Sequence, residues 1–212
     1  MLSARLKRRL ARHHLPLAAA TLASGGVLYA TRDYSDMIAK LSFASAWPAL
    51  VLLAATLIIG PVRILAGKGS VLSVDLRRDV GIWAGIVGIF HAVIGQCVHL
   101  RGRPWLYYIY EQWRVMPLRY DAFGFSNETG LIAALILAAL LATSNDYYLR
   151  RLGGLKWKSL QRWNYAGFAL AALHSFGYLI GIESIRPAFI SVAATCVATT
   201  LLMQLLGWRR RI

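Results

Sequence analysis

No side chain carries a formal charge between Gly81 and Leu100, a run of twenty residues with the sequence GIWAGIVGIFHAVIGQCVHL. As an α-helix, this run would extend about 30 Å, the thickness of the hydrocarbon core of a bilayer. One histidine, His91, lies near its middle. A polar ring at that depth is costly in lipid, and such residues tend to be functional. The run therefore predicts a transmembrane helix that carries a functional imidazole.

Similar apolar runs fill most of the chain, since 58% of its 212 residues are hydrophobic. This composition predicts an all-α membrane protein, a bundle of six transmembrane helices, and excludes a soluble domain. Residues 1–14 are predicted to be a basic cytoplasmic tail with solvated histidines, and residues 15–208 a single transmembrane domain. We expect polar connectors at 31–43 and 101–126 and a basic loop at 145–158. The predicted spans are about 15–31, 46–66, 81–100, 128–144, 160–182 and 187–207.

The formal net charge of +15 would suit a nucleic-acid-binding protein, but the basic residues bracket the apolar spans instead of lining one face. Of the 24 lysines and arginines, seventeen fall on the side of the two termini and seven on the opposite side. Cytoplasmic loops are enriched in these residues, so both termini are predicted to be cytoplasmic. The two cysteines form no CxxC motif, which argues against a disulfide framework and against covalently attached haem.

A second histidine, His174, lies inside the fifth predicted span. The third and fifth spans run parallel, and His91 is thirteen residues beyond Arg78 while His174 is twelve beyond Arg162. Both imidazoles would therefore lie roughly 18–20 Å from the inner edge of the membrane. Two imidazoles at one depth suit the axial positions of a haem iron. The alternatives are two unrelated core histidines beside closely packed helices, or a zinc site, which would need further ligands at that level.

Small residues accompany both histidines on the same helix faces, and they would leave room for a flat macrocycle. These residues are Gly88, Gly95, Ala171 and Gly177. The histidines are only nine or ten residues from the outer ends of their spans, which places the predicted cofactor in the outer half of the bilayer. We therefore expect electrons to leave towards the outside.

Four segments carry a family resemblance: ATLIIGPVRI, LRRDVGIWAGIVGIFHAVIG, GLIAALILAALLATSNDYYLRRLGGLKWKSLQRWNY and ALAALHSFGY. They resemble the ferric-reductase-like transmembrane superfamily, and within it the haem-binding membrane subunit of the periplasmic methionine-sulfoxide reductase system, the MsrQ/YedZ type. By this resemblance, His91 and His174 match ligands of haem b. The resemblance implies a multi-pass b-type cytochrome of the bacterial inner membrane, an electron-transfer subunit of an oxidoreductase system. Bond-making chemistry would belong to its periplasmic acceptor, such as a methionine-sulfoxide reductase.

One position departs from the family pattern. Members of the family usually carry a further histidine thirteen residues before the one matched by His174, and this chain has Gln161 there. The matching level of the third span holds Arg77 and Arg78, and neither can ligate iron. We therefore expect one haem b, with electrons supplied by a membrane quinol or a flavin such as FMN.

The inner rim offers a candidate donor site for that quinone or flavin. Its residues are Arg77, Arg78, Lys158, Gln161, Arg162 and Trp163. Anchoring by positive charge and by an interfacial tryptophan would also explain them. On the outer side, Arg101 and Arg103 are candidate partners of haem propionates, and the aromatic-rich connector 101–126 is a candidate docking surface for a periplasmic redox protein.

Two alternative functions stay open at this point. The first is a stand-alone ferric or quinone reductase-like membrane protein. The second is a non-redox accessory or assembly protein that retains the fold.

Overall fold

The computed structural model describes residues 4–67, 72–100, 103–112, 117–182 and 187–210. These residues are helical apart from short connections, and one isolated antiparallel bridge joins Ile109 to Leu118. The predicted all-α class is confirmed. In chain order the elements are α1 (Ala4–Arg9), a π-helical turn (Leu10–His14), α2 (Leu15–Thr31), α3 (Met37–Ala66), α4 (Val74–Gly95), a 3-10 turn (Pro104–Tyr107), α5 (Ala122–Ala142), α6 (Asp146–Gln161), α7 (Trp163–Phe176), a π-helical segment (Gly177–Ile182) and α8 (Pro187–Arg209).

Five of the described helical segments are long and apolar enough to cross a membrane. They are Met37–Ala66, Val74–Gly95, Ala122–Ala142, Asp146–Ile182 and Pro187–Arg209. The remaining predicted span, α2, is a helix with the expected bounds and has 17 residues. The chain is therefore a multi-pass membrane protein, and the sixth span stays a prediction.

Several helices begin before the apolar runs that predicted them, because polar side chains cap them further upstream. In α3 the Asp36 carboxylate accepts the Ile38 N–H at 2.9 Å, so the helix starts at Met37 within the expected connector. In α5 the Asp121 carboxylate accepts the Gly124 N–H at 2.7 Å. An acceptor at such a cap satisfies one of the N–H groups that a helix start leaves without a partner.

The predicted basic loop over 145–158 is wrong, since this stretch forms most of helix α6. The Asn145 side chain caps the helix by accepting the Tyr148 N–H at 3.0 Å. The chain kinks at Gly153, whose φ of 73° favours glycine. No α6 side chain is fully buried, and Leu155 is 86% exposed. The alternation of basic and apolar residues along α6 is typical of an amphipathic helix at a membrane surface.

Helices α3, α4, α5 and α7 form the core of the bundle. Leu53 and Leu57 of α3, Ala84 of α4, Leu137 of α5 and Phe168 of α7 are all buried there. These four helices surround the site described below.

The first and last described helices meet the bundle at the same end. Near the N-terminus, Arg9 contacts Asp79 at the start of α4. Near the C-terminus, the Gln204 amide donates to the Leu57 carbonyl at 2.7 Å. The neighbouring Thr56 carbonyl accepts from Arg77 at 2.9 Å, which joins these two regions. The arrangement agrees with an even number of spans, and the assignment of this end to the cytoplasm stays a prediction.

Candidate functional site

The structure brings the two predicted histidines together inside the bundle. The ring of His91, on α4, and the ring of His174, on α7, have centroids 6.0 Å apart and planes at 71°. Two imidazoles on opposite sides of one metal ion would have centroids about 6.4 Å apart, taking about 2.0 Å per metal–nitrogen bond and about 1.2 Å from nitrogen to ring centre. The observed separation is close to that value, so the pair fits two axial ligands of one metal ion.

Backbone carbonyls fix the tautomer of both rings. His91 Nδ1 lies 3.0 Å from the Ser42 carbonyl oxygen of α3, and His174 Nδ1 lies 2.8 Å from the Ser126 carbonyl oxygen of α5. A carbonyl can only accept, so each Nδ1 carries the proton and each Nε2 keeps its lone pair. Among the described residues, none hydrogen-bonds to either Nε2. This is the arrangement in which imidazoles ligate metals, with the other ring nitrogen held by an outer partner.

A cavity between α3, α4, α5 and α7 contains both rings. Twelve of its 27 lining residues are Gly, Ala or Ser, and none is Asp, Glu, Lys or Arg. Gly88, Gly95 and Ala171, three of the four predicted clearance residues, line it. Gly177 does not line it. A Cβ at Gly177 would lie 2.0 Å from the Ser126 Oγ, so this glycine allows close packing against α5 instead.

Sequence reasoning missed Gly130, which lies on α5 and lines the cavity. A Cβ at this position would lie 2.5 Å from His174 Nδ1 and 2.9 Å from His174 Cε1. The absence of a side chain at Gly130 therefore admits the His174 ring. Because this glycine belongs to a helix without a histidine, spacing from His174 gave no signal for it.

The residues of the predicted donor site do not converge on one cavity among those described. Arg77 donates to the Thr56 carbonyl, while Arg78 donates to the Ser144 carbonyl at 3.1 Å and pairs with Asp146 at 2.5 Å. Lys158, Arg162 and Trp163 are exposed at the junction of α6 and α7. The amide nitrogen of Gln161 is buried there, and no described residue bonds to it.

Of the two predicted propionate partners, Arg103 does not line the described cavity. Arg101 lies outside the described residues. Arg103 pairs with Glu111 on the outer connector, and its side chain is 48% exposed. The cavity contains a different basic residue, His99, on its lining.

The expectation of solvated histidines in the N-terminal tail is wrong. His13 Nδ1 lies 2.6 Å from Asp79 Oδ2, and His14 Nε2 lies 3.2 Å from Asp79 Oδ1. Asp79 is fully buried and also pairs with Arg9, whose pKa this hydrogen bond raises above its ordinary value. The Trp83 indole donates to His14 Nδ1 at 3.2 Å. This network holds the N-terminal segment against α4. No sequence pattern indicated it, because the partners are 66 or more residues apart.

The number of candidate metal ligands also limits the site. Within the described part of the chain, no three His, Cys, Asp or Glu side chains are grouped so that they could hold a metal ion. Zinc sites use three or four protein ligands, whereas haem iron needs at most two axial ones. The residues present therefore fit haem better than zinc.

The fold and this cavity define a class: a multi-pass helical membrane protein with two imidazoles, each positioned by a backbone carbonyl, in a cavity of small and apolar residues. Comparison with known proteins gives the family. The chain is 30% identical over 160 residues to the protein-methionine-sulfoxide reductase heme-binding subunit MsrQ of Bordetella pertussis, covering 76% of this chain and 68% of that protein.

Similar values hold for other relatives of the same name. The MsrQ of Xanthomonas axonopodis pv. citri is 31% identical over 175 residues, which cover 82% of this chain and 70% of the relative. The MsrQ of Azospira oryzae is 30% identical over 155 residues, covering 73% and 58%. No family model and no solved structure matches the chain. The chain belongs to the MsrQ family.

Proposed function

We propose that this protein is a b-type cytochrome of the bacterial inner membrane, with one haem b held by His91 and His174. It would pass electrons from a quinol or flavin donor to a periplasmic acceptor. The observation that carries the proposal is the carbonyl bond at each Nδ1, which leaves both Nε2 atoms available to iron. The names of the relatives, heme-binding subunits of a methionine-sulfoxide reductase, support this cofactor and such a reductase as the acceptor.

A bound haem would supply one-electron transfer at an iron whose potential depends on its axial ligands and surroundings. The residues of the chain would prepare the site for it in three ways. The carbonyls of Ser42 and Ser126 orient the imidazoles and increase their basicity. Gly130 admits the His174 ring, and Gly88 lines the cavity without a side chain. The uncharged lining keeps the local dielectric low, which makes each fixed dipole more effective.

A reduced-minus-oxidised absorption spectrum of the purified protein tests this proposal. We expect the bands of a low-spin b-type haem, and we expect them to be lost in both His91→Ala and His174→Ala. His13→Ala is the matched control, because it removes a histidine that lies outside the cavity. Bands that survive both cavity substitutions would show that the ligands lie elsewhere. A spectrum without such bands in the unmodified protein would end the proposal.

We infer that each chain carries a single haem. The position where the family resemblance leads one to expect a further ligand holds Gln161. Arg77 and Arg78 of α4 donate to backbone carbonyls. A haem assay normalised to protein concentration should give one haem per chain. A value near two, with both haems low-spin, would contradict this inference.

We further propose that the donor approaches the inner rim at the α6–α7 junction. Lys158 and Arg162 are exposed there, next to the buried and unbonded amide nitrogen of Gln161. A carbonyl of a quinone or a phosphate of a flavin could accept from these groups. The double variant Lys158→Gln/Arg162→Gln should slow reduction by a soluble quinol and leave reduction by dithionite unchanged. Arg150→Gln, on the same helix, is the control.

Six spans with cytoplasmic termini complete the proposed topology. Helix α2 starts beside Asp79 at the inner end of α4, where His14 lies. It ends at Thr31, and the next residue, Arg32, stacks on Phe43 and Phe189 near the starts of α3 and α8. Although short, α2 therefore extends along the bundle from one end to the other. Cysteine labelling from each side of the membrane, at positions 12 and 33, should place them on opposite sides.

A further inference from the structure

The two ends of the histidine cavity differ in polarity. On the inner side of the histidine pair, Leu50 and Leu53 of α3 and Leu137 of α5 line the cavity. On the outer side, the lining residues include Gln96 and His99, which follow His91 in sequence, and Asn127 of α5. A ligand with one apolar edge and one polar edge would therefore be oriented by this cavity.

His99 is an outer polar residue whose side chain is available. The Asn127 amide donates to the Phe123 carbonyl and accepts from the Tyr178 hydroxyl. Neither ring nitrogen of His99 makes a hydrogen bond to a described residue. Beyond His91 and His174, it is also the one cavity-lining residue that can carry a positive charge.

The position of His99 is fixed by its backbone and by neighbouring rings. The Tyr107 hydroxyl accepts the His99 N–H at 2.6 Å and lies 2.6 Å from the His99 carbonyl, and the Tyr107 side chain is fully buried. The His99 ring packs against Phe123 with a centroid separation of 5.7 Å. A ring held in this way on a cavity wall loses little further freedom when it binds a ligand.

We propose that His99 binds a carboxylate of the macrocycle and so orients the acidic edge of the haem towards the outer side of the membrane. The inference rests on the proposed function. Haem b carries two carboxylates on one edge, and a carboxylate taken out of water needs a charged or hydrogen-bonding partner. His99 lies four residues past the end of α4 at Gly95, on the outer side of His91. It takes the role that the sequence suggested for Arg101 and Arg103.

Haem and its dimethyl ester, which lacks both carboxylates, together test the proposal. The unmodified apoprotein and His99→Leu are each reconstituted with either compound, and the rate of loss to excess apomyoglobin is measured. For haem, His99→Leu should increase this rate about 10- to 100-fold, which is the factor that corresponds to removing a hydrogen bond to a charged group. For the dimethyl ester, the two proteins should agree within about twofold. His99→Gln, which keeps an N–H donor, should recover part of the haem retention.

Gln112→Leu is the matched control, since it removes an exposed polar side chain on the outer connector. Equal acceleration of loss for both compounds in His99→Leu would indicate general damage to the cavity and overturn the proposal. An unchanged rate for haem would also overturn it, while the proposed function would stand. Failure of the unmodified protein to bind either compound would instead refute the proposed function.

Discussion

Gly130→Ala gives the sharpest test of how the histidine pair is built. The new Cβ would lie 2.5 Å from His174 Nδ1, and ordinary contacts begin at 3.4 Å, so the ring must move by about 0.9 Å. A movement of that size away from α5 would lengthen the 2.8 Å distance to the Ser126 carbonyl of the same helix to as much as about 3.7 Å, beyond hydrogen-bond range. A metal–imidazole bond of about 2 Å does not tolerate such a displacement. Loss of an outer partner typically weakens metal binding 10- to 100-fold.

The assay for Gly130→Ala is the absorption and electron paramagnetic resonance spectrum of the ferric protein. We expect conversion of the low-spin signal to a high-spin signal and faster haem loss, within that 10- to 100-fold range. Gly81→Ala is the matched control, because its Cβ would meet only Thr56 Cγ2 at 3.8 Å. The control should be neutral or slightly stabilising, since alanine is the better helix former. A fully low-spin Gly130→Ala protein would refute the proposed placement of His174.

Three further substitutions test packing and the connections of the bundle. Asp79→Asn should lower the free energy of unfolding by about 3–5 kcal/mol, because it leaves the partly buried guanidinium of Arg9 without its carboxylate. The control Asp33→Asn, at an exposed position, should leave the thermal melt unchanged. Gly177→Ala should be destabilising in the same assay, and less so in a Ser126→Gly background, where the nearest remaining atom would be the Cα at 3.7 Å. Tyr107→Phe should cost about 1–3 kcal/mol by leaving the His99 backbone groups unbonded. Faster hydrogen exchange of the His99 N–H would detect this loss.

The sequence was sufficient for the apolar helices and for the pairing of His91 with His174, but not for α6. Hydropathy depends on local composition, and the depth of a residue in a straight helix follows from its distance to the charged ends. For the same reason, helix starts were predicted late. The predicted third span began at Gly81 because of Arg77, Arg78 and Asp79, whereas α4 begins at Val74, since those side chains find partners on other elements.

Other features depend on contacts between distant segments and left no local pattern. The assignment of Gly177 as a clearance residue came from its spacing to His174, but its role is set by Ser126 on another helix. Asp79 lies just before the apolar run that begins at Gly81, yet it is buried and pairs with side chains of the N-terminal segment. The basic residues at 145–158 also led to the wrong prediction of a loop, because an amphipathic helix at an interface can be as basic as a loop.

The histidine pair owes its geometry to helices that carry neither histidine. His91 is oriented by α3 through Ser42, and His174 by α5 through Ser126. Each carbonyl oxygen has two lone pairs, so it can keep its helical hydrogen bond and still accept from an imidazole. Because the backbone supplies this contact whatever side chain is present, substitutions of Ser42 and Ser126 should disturb the histidine pair less than changes in the spacing of the helices. Residues that set the spacing of α3 to α4 and of α5 to α7 should therefore affect the pair more than polar residues beside the rings.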